Sequence, residues 1–291
     1  MKTTTTILII TFLILVSFRS DKPAYKLYTS DGKNVKYQKM IETISSADIV
    51  FFGELHDNPI AHWLEYEVTA DLHEIAADRL VMGAEMFEAD NQLLLNEYLS
   101  SAYEADKFEA EVKLWKNYKT DYKPLMEFAR KNNLPFIATN IPRRYASMVS
   151  KKGLEVLDSL SAQAREYIAP LPVYYDPEVK CYKDMLDMNG IQGMGGKPNE
   201  NMPKAQAIKD ATMAHFILKN MEPGKLFIHY NGSYHSDNYL GIIYYLKLYR
   251  PGIRVGTITT VLQDDIESLM PENSGVADFI VVIPANMTRT Y

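Results

Sequence analysis

The chain has 291 residues, 47% of them hydrophobic, which is enough apolar material for one large core. A formal net charge of −6 and an isoelectric point near 5.6 leave no basic footprint, and no Lys/Arg stripe interleaved with aromatics stands out, so nucleic acid is excluded as an expected partner. The single cysteine, Cys181, excludes an internal disulfide and reads as a small buried hydrophobe. Twenty tyrosines are the compositional oddity. They fit core-to-surface packing by an amphipathic ring, or, for a few of them, a phenolate that ligates iron.

At the N-terminus, Met1-Lys2 and four threonines precede the apolar run Ile7 to Val16, the pattern of a secretory signal. That run is shorter than the ~20 residues that cross a bilayer. Ser17 and Ser20 offer small residues for cleavage, but Phe18 and Arg19 fit a cleavage site poorly, so an uncleaved anchor is the alternative. No cysteine stands nearby to carry a lipid. The expected organisation is a signal peptide or short anchor over 1–20 and one domain over 21–291, with helical or loop cap insertions at about 88–130 and 144–223. The expected location is the periplasm or the cell envelope, with the N-terminal segment as the means of any membrane association.

Between residues 22 and 37 a Ser30-Asp31-Gly32-Lys33-Asn34 turn joins two short tyrosine-containing stretches, which predicts an edge hairpin. A short helix over 38–46 follows. The apolar run Ala47 to Phe52 then predicts a buried strand that ends at Gly53-Glu54-Leu55-His56. Asn58 and Pro59 form an N-cap and first-turn pair, and Ile60, Leu64, Val68, Leu72 and Ile75 recur at helical spacing to about Ala77. A second apolar run, Leu80 to Ala84, delivers Glu85. Strand, helix and strand at this spacing predict a βαβ unit and hence a parallel sheet.

Residues 88–130 read as helical, with Pro124 opening the last helix. Leu134 to Thr139 is the third strand, and Asn140 and Arg143 lie just past its end. Helical patterns at 144–152, 154–168 and 203–221 surround a proline-rich stretch from Pro170 to Pro203, expected to be a lid or a disordered segment. Its run at 190–197, Gly-Ile-Gln-Gly-Met-Gly-Gly-Lys, lacks the Lys-Ser/Thr ending and preceding strand of a phosphate loop. A fourth strand over 225–230 leads to Gly232-Ser233-Tyr234-His235 and a tyrosine-rich helix over 238–249. Strands at 255–262 and 277–283 complete an α/β fold: a mostly parallel sheet flanked by helices, with a helical cap subdomain.

In parallel sheets, ligands bind beyond the carboxyl ends of the strands. Glu54, His56, Glu85, Asn140, Arg143 and His235 all stand at such ends, so they are expected to converge. Three chemistries are open to them. His56, Glu85 and His235 could ligate a divalent metal with an open position for water. One histidine, oriented by Glu54 or Glu85, could act instead as general base for hydrolysis, with Arg143 stabilising negative charge; the catalytic candidates are thus Glu54, His56, Glu85, Arg143 and His235. The third option is binding without turnover. His62 and His73 read as solvated, His215 as partly buried, His229 as structural, and Asp57 as a helix cap.

Five ordered motifs carry a family resemblance: Gly53 to Pro59, Ala84-Glu85-Met86-Phe87, Thr139 to Arg144, Asp210-Ala211-Thr212-Met213-Ala214 and Asn231 to His235. Together they resemble the ChaN family of the Tiki and erythromycin-esterase-like superfamily, marked by two Gly-x-x-His motifs, over about residues 40–285. The resemblance implies a parallel α/β domain with a helical subdomain in an envelope protein of haem or iron acquisition. It also implies tyrosine ligation of haem and a homodimer, with Tyr174, Tyr175 and Tyr182 as cofactor-binding candidates. No Cys-x-x-Cys-His occurs, so such a haem would be non-covalent. The chain departs from the family's lipoprotein pattern in lacking an acylated cysteine. The enzymatic members of the superfamily imply the alternative, a hydrolase of a peptide or ester working through the Gly-x-x-His pair and Glu85.

Overall fold

The computed structural model describes residues 22–191 and 199–291. The signal read over 1–20 lies outside the described residues, as does most of the glycine-rich run at 190–197. Seven strands form one sheet in the order β1-β7-β6-β2-β5-β3-β4: β1 (Lys26–Thr29), β2 (Ile49–Glu54), β3 (Leu80–Glu88), β4 (Phe136–Asn140), β5 (Leu226–Gly232), β6 (Val255–Gln263) and β7 (Phe279–Pro284). Every neighbouring pair is parallel except β1 with β7.

The central strands β2 and β5 are buried along their whole length. Helices cover both faces, so these strands read as continuous apolar runs rather than as alternating ones. The two-residue side-chain period sends Val50 and Phe52 to one face, with Val68, Leu72, Met82 and Tyr230. Ile49 and Phe51 go to the other face, with Phe227, Ile208, Ala211, Ile242 and Leu246.

The first face is covered by α1 (Tyr37–Ile44), α2 (Pro59–Ala76), α3 (Gln92–Leu99), α4 (Ala105–Glu111) and α5 (Lys123–Asn132). The second carries α6 (Arg143–Lys152), α7 (Ala162–Arg165), α8 (Lys180–Ile191), α9 (Met202–Lys219) and α10 (Ile242–Tyr249). Helix α2 starts as the sequence signals require: the Asn58 side chain accepts from the Ile60 and Ala61 amides at 3.0 and 3.1 Å, and Pro59 fills the first position. Among the described residues no helix is long and apolar enough to cross a membrane.

Three expectations need correction. The 22–37 segment closes its turn, but its ladder partner is β7, and only a single bridge joins Tyr28 to Asn34; pairing with β7 buries Leu27 and Tyr28 beneath the sheet edge. The Pro170 to Pro203 stretch is not all loop, because α8 forms between its prolines. The helix read over 154–168 breaks into a 3₁₀ turn, Leu154–Ser159, and the short α7, which restarts where Ser161 caps the Ala164 amide at 3.2 Å.

Strand register decides where the site falls. Gly53 stands opposite Asn231 and Glu54 opposite Gly232, so both glycine-histidine motifs leave the sheet side by side. On the other side of β5, Ala84 stands opposite Tyr230, which brings Glu85 to the same level.

Candidate functional site

Beyond these strand ends lies a cavity of about 510 Å³ lined by Glu54, His56, Glu85, Glu88, Trp115, Asn140, Arg143, Gln206, Lys209, Gly232, Ser233, Tyr234 and His235, among others. The structure therefore brings Glu54, His56, Glu85, Arg143 and His235 around one space. Glu54 closes β2 and Glu85 lies near the end of β3, while His56, Arg143 and His235 follow the ends of β2, β4 and β5, as strand-end geometry requires.

The two motifs interlock through their glycines. A Cβ on Gly232 would stand 2.7 Å from Nε2 of His56, so the ring of the first motif lies over the glycine of the second. A Cβ on Gly53 would in turn stand 3.0 Å from Cα of Ser233. Gly232→Ala is expected to push His56 off Glu54 and to lower the unfolding free energy by about 1–3 kcal/mol, read from urea midpoints. An unchanged midpoint with unmoved His56 imidazole resonances would contradict that packing.

His56 faces the cavity with its Nδ1 2.5 Å from Glu54 Oε1, and its ring meets Trp115 edge to face at 4.8 Å. Tyr122 donates to the same Glu54 oxygen at 2.8 Å. Burial disfavours charge on Glu54, but hydrogen bonds from His56 and His62 outweigh it and hold the carboxyl at about 2. For His56, burial pulls towards the neutral ring, while the Glu54 hydrogen bond and the charge of Glu85 lift it above the ordinary imidazole range. The result is an oriented imidazole whose Nε2 is not held by a carboxylate.

His235 is built differently. Its Nδ1 lies 2.5 Å from Asp210 Oδ1 and its Nε2 3.1 Å from Glu85 Oε1, with all three side chains buried. Burial works against the proton, yet the charges of Glu85 and Asp210 prevail and raise the ring to about 10. Glu85 is held below the usual carboxylate range: the cost of burial is overcome by His235, His56 and the Gly232 amide, which donates to Glu85 Oε2 at 2.9 Å. Burial raises Asp210, whose Oδ2 accepts from Tyr182 at 2.8 Å. His235 is thus an imidazolium between two carboxylates. Of the metal set nominated from sequence, His56 and Glu85 face the cavity, but His235 has both nitrogens engaged.

Arg143 and Lys209 supply positive charge at the cavity wall. The Arg143 amide, at the start of α6, donates to Glu88 Oε2 at 3.0 Å. Asn140 donates from Nδ2 to the Glu85 carbonyl at 2.9 Å, and its buried Oδ1 has no hydrogen-bond partner.

The remaining nominated residues separate. Tyr182 is fully buried and committed to Asp210, Tyr175 packs against it with ring centroids 5.8 Å apart, and Tyr174 is 56% exposed. Tyr174 lines a different groove, alongside Pro170, His215 and Tyr249. His62, read as solvated, is buried among Glu54, Glu65 and Asp121 because its turn of α2 faces the Tyr118–Tyr122 segment rather than water. His229 is buried between Thr139 and Asn231, as a structural residue. Asp57 pairs with Arg289 at 2.9 Å, while Asn58 caps α2. Burial pushes the Cys181 thiol up to about 11, which makes it a poor nucleophile.

Sequence reading assigned no role to Asp210, Glu65 or Tyr122. The first two had a signal: each is an acid on an otherwise apolar helical stripe, Asp210 beside Ala207, Ala211 and Ala214, and Glu65 beside Ala61, Leu64 and Val68.

Residues 40–246 match the family model described as "Haem-binding uptake, Tiki superfamily, ChaN". Among solved structures, the fold is similar to that of ChaN of Campylobacter jejuni, described with cofacial haem binding: TM-score 0.65, 15% identity, 89% of this chain and 96% of that one. An erythromycin esterase, EreC, in its open conformation aligns with a TM-score of 0.49 and 12% identity over 89% of this chain and 83% of that one. The Arabidopsis thaliana protein RETICULATA-RELATED 5, chloroplastic, is 25% identical over 203 residues, 66% of this chain. The chain spans only 27% of that plant protein's length. With two interlocked glycine-histidine motifs at the ends of β2 and β5 and a family match over more than half its length, the chain belongs to the ChaN haem-binding uptake family of the Tiki superfamily.

Proposed function

We propose that the protein binds haem non-covalently in a surface groove formed by the Pro170–Tyr174 segment against the C-terminal ends of α9 and α10, and that it serves haem or iron uptake at the cell envelope. The observation that carries the reading is the groove's lining. About 570 Å³ in volume, it has apolar walls from Pro170, Leu171, Pro172 and Leu218, and it places Tyr174, Tyr249, His215 and Lys219 along the same space. A macrocycle needs an apolar slab, its iron an oxygen or nitrogen donor, and its carboxylates a cation. Burial, with help from Lys219, lowers the His215 imidazole and keeps it neutral, as a metal ligand must be. The Tyr174 backbone is anchored because its carbonyl accepts from Tyr245 at 2.9 Å, which leaves the phenol exposed at the rim. Of the three tyrosines nominated from sequence, Tyr174 alone combines exposure with this lining. Envelope location and membrane association rest on residues 1–20, and the homodimer on the family resemblance.

Haemin titration of the purified protein tests this. A saturable Soret shift is expected, weakened at least tenfold by Tyr174→Phe or by His215→Ala. No shift in the unsubstituted protein overturns the reading.

The strand-end cavity favours a second activity in the same chain, hydrolysis of a peptide or ester. Its support is the asymmetry between the two histidines. His56, oriented through Nδ1 by Glu54, has Nε2 in position to take a proton from water. His235, held as an imidazolium, keeps the buried carboxylates neutralised. Arg143 stands where it can stabilise an oxyanion.

A further inference from the structure

We propose that Glu54, His62 and Glu65 form a buried binding site for a divalent first-row transition-metal ion, behind the cavity floor and separate from the haem groove. One ligand atom from each residue lies within 4.8 Å of the other two, and no other group of three or more His, Cys, Asp or Glu side chains among the described residues converges so closely. His62 Nδ1 stands 3.0 Å from Glu54 Oε2 and 3.0 Å from Glu65 Oε2. These are the spacings of neighbouring ligands around an ion with bonds of about 2.1 Å.

Two further observations point to a cation as the ligand. Glu65 Oε1 is buried without a hydrogen-bond partner in a residue that is 0% exposed, and Glu54 Oε2, equally buried, meets the His62 ring. Burying a carboxylate oxygen unpaired costs free energy that a cation would recover. The imidazole is also oriented as metal ligands are. Its Nε2 points at the His56 carbonyl at 3.2 Å, and Asp121 Oδ2 lies 3.5 Å away, so the outer nitrogen carries the proton and Nδ1 is directed at the carboxylates. Asn117 fixes that outer layer, donating to the His56 carbonyl at 2.9 Å and to Asp121 at 2.7 Å.

Two carboxylates and one imidazole suit Mn²⁺, Fe²⁺ or Zn²⁺ over Ca²⁺, which prefers all-oxygen sites. On the outer side of α2, His62 also lines a surface groove of about 650 Å³ with Trp63, Tyr66, Asp121 and Thr290.

The test uses the full chain, stripped with a chelator, dialysed against Mn²⁺ or Zn²⁺ and assayed by mass spectrometry for retained metal. About one ion per chain is expected. Glu65→Gln, which keeps the side chain's shape, should lower retention at least tenfold, whereas His235→Gln should leave it unchanged. X-ray absorption on the unsubstituted zinc form gives a readout independent of any variant's folding: one imidazole in an otherwise oxygen shell is expected. Failure to retain metal, full retention by Glu65→Gln, or a shell with two imidazoles, which places the ion at His56 and His235, each overturns the proposal.

Discussion

Glu85→Ala is expected to lower the unfolding free energy by about 3 kcal/mol, at the lower end of what breaking a buried ion pair costs. The substitution leaves His235 buried with one carboxylate instead of two and strips the Gly232 amide of its acceptor. The loss is limited because Asp210 remains and because the ring can release its proton. Glu85→Gln should cost about 1–2 kcal/mol, since the amide oxygen can still accept from Gly232. The sign of the pH dependence follows from His235. Its folded-state value of about 10 lies above the 6.5 of a free ring, so the stabilisation from its proton is complete below about 6.5 and is lost as pH rises through about 10. The gap between the unsubstituted protein and Glu85→Ala should therefore narrow between those limits. Urea unfolding at pH 6.5, 8 and 10 measures it, and a gap that stays constant with pH would mean that His235 is neutral in the folded protein.

The second large effect concerns the cavity. His56→Ala is expected to reduce any hydrolysis of an ester or peptide substrate by about 10²–10⁴-fold, the usual contribution of a positioned general base. Stability should change little by comparison, because the His56 side chain is 36% exposed. In hydrolysis, His56→Ala and Glu54→Gln should also be strongly non-additive, since the carboxylate reaches the reacting water through the ring it orients. Full activity in His56→Ala would exclude the dyad as the base. Unchanged haem binding in the same variant is expected in either case, because the groove shares no lining residue with the cavity.

Much of this architecture is legible in the chain because parallel sheets write plainly. Continuous apolar runs marked β2 to β7, and the polar residues following four of them had only one place to converge. The register that sets Glu54 beside Gly232 was not legible, and neither was the reason for the second motif's glycine, which is the ring of His56 lying across it. The reading of His62 as solvated failed because its position in the first turn of α2 says nothing of what packs there, namely the Tyr118–Tyr122 segment some sixty residues later. Glu65 and Asp210 could have been found from their places on apolar helical stripes. Tyr182 could not have been separated from Tyr174 by composition or spacing: both are tyrosines of one proline-rich stretch, and only packing puts one hydroxyl on Asp210 and the other at a groove rim.

The haem site proposed here is the Tyr174 groove, with the histidine cavity left free. Diffraction from a haemin-soaked crystal, collected at the iron absorption edge, tests it most directly. The expected result is one iron peak in the groove within bonding distance of the Tyr174 hydroxyl or the His215 imidazole. An iron peak beside His56, or no iron peak in the groove of a crystal shown spectroscopically to hold haem, would contradict it.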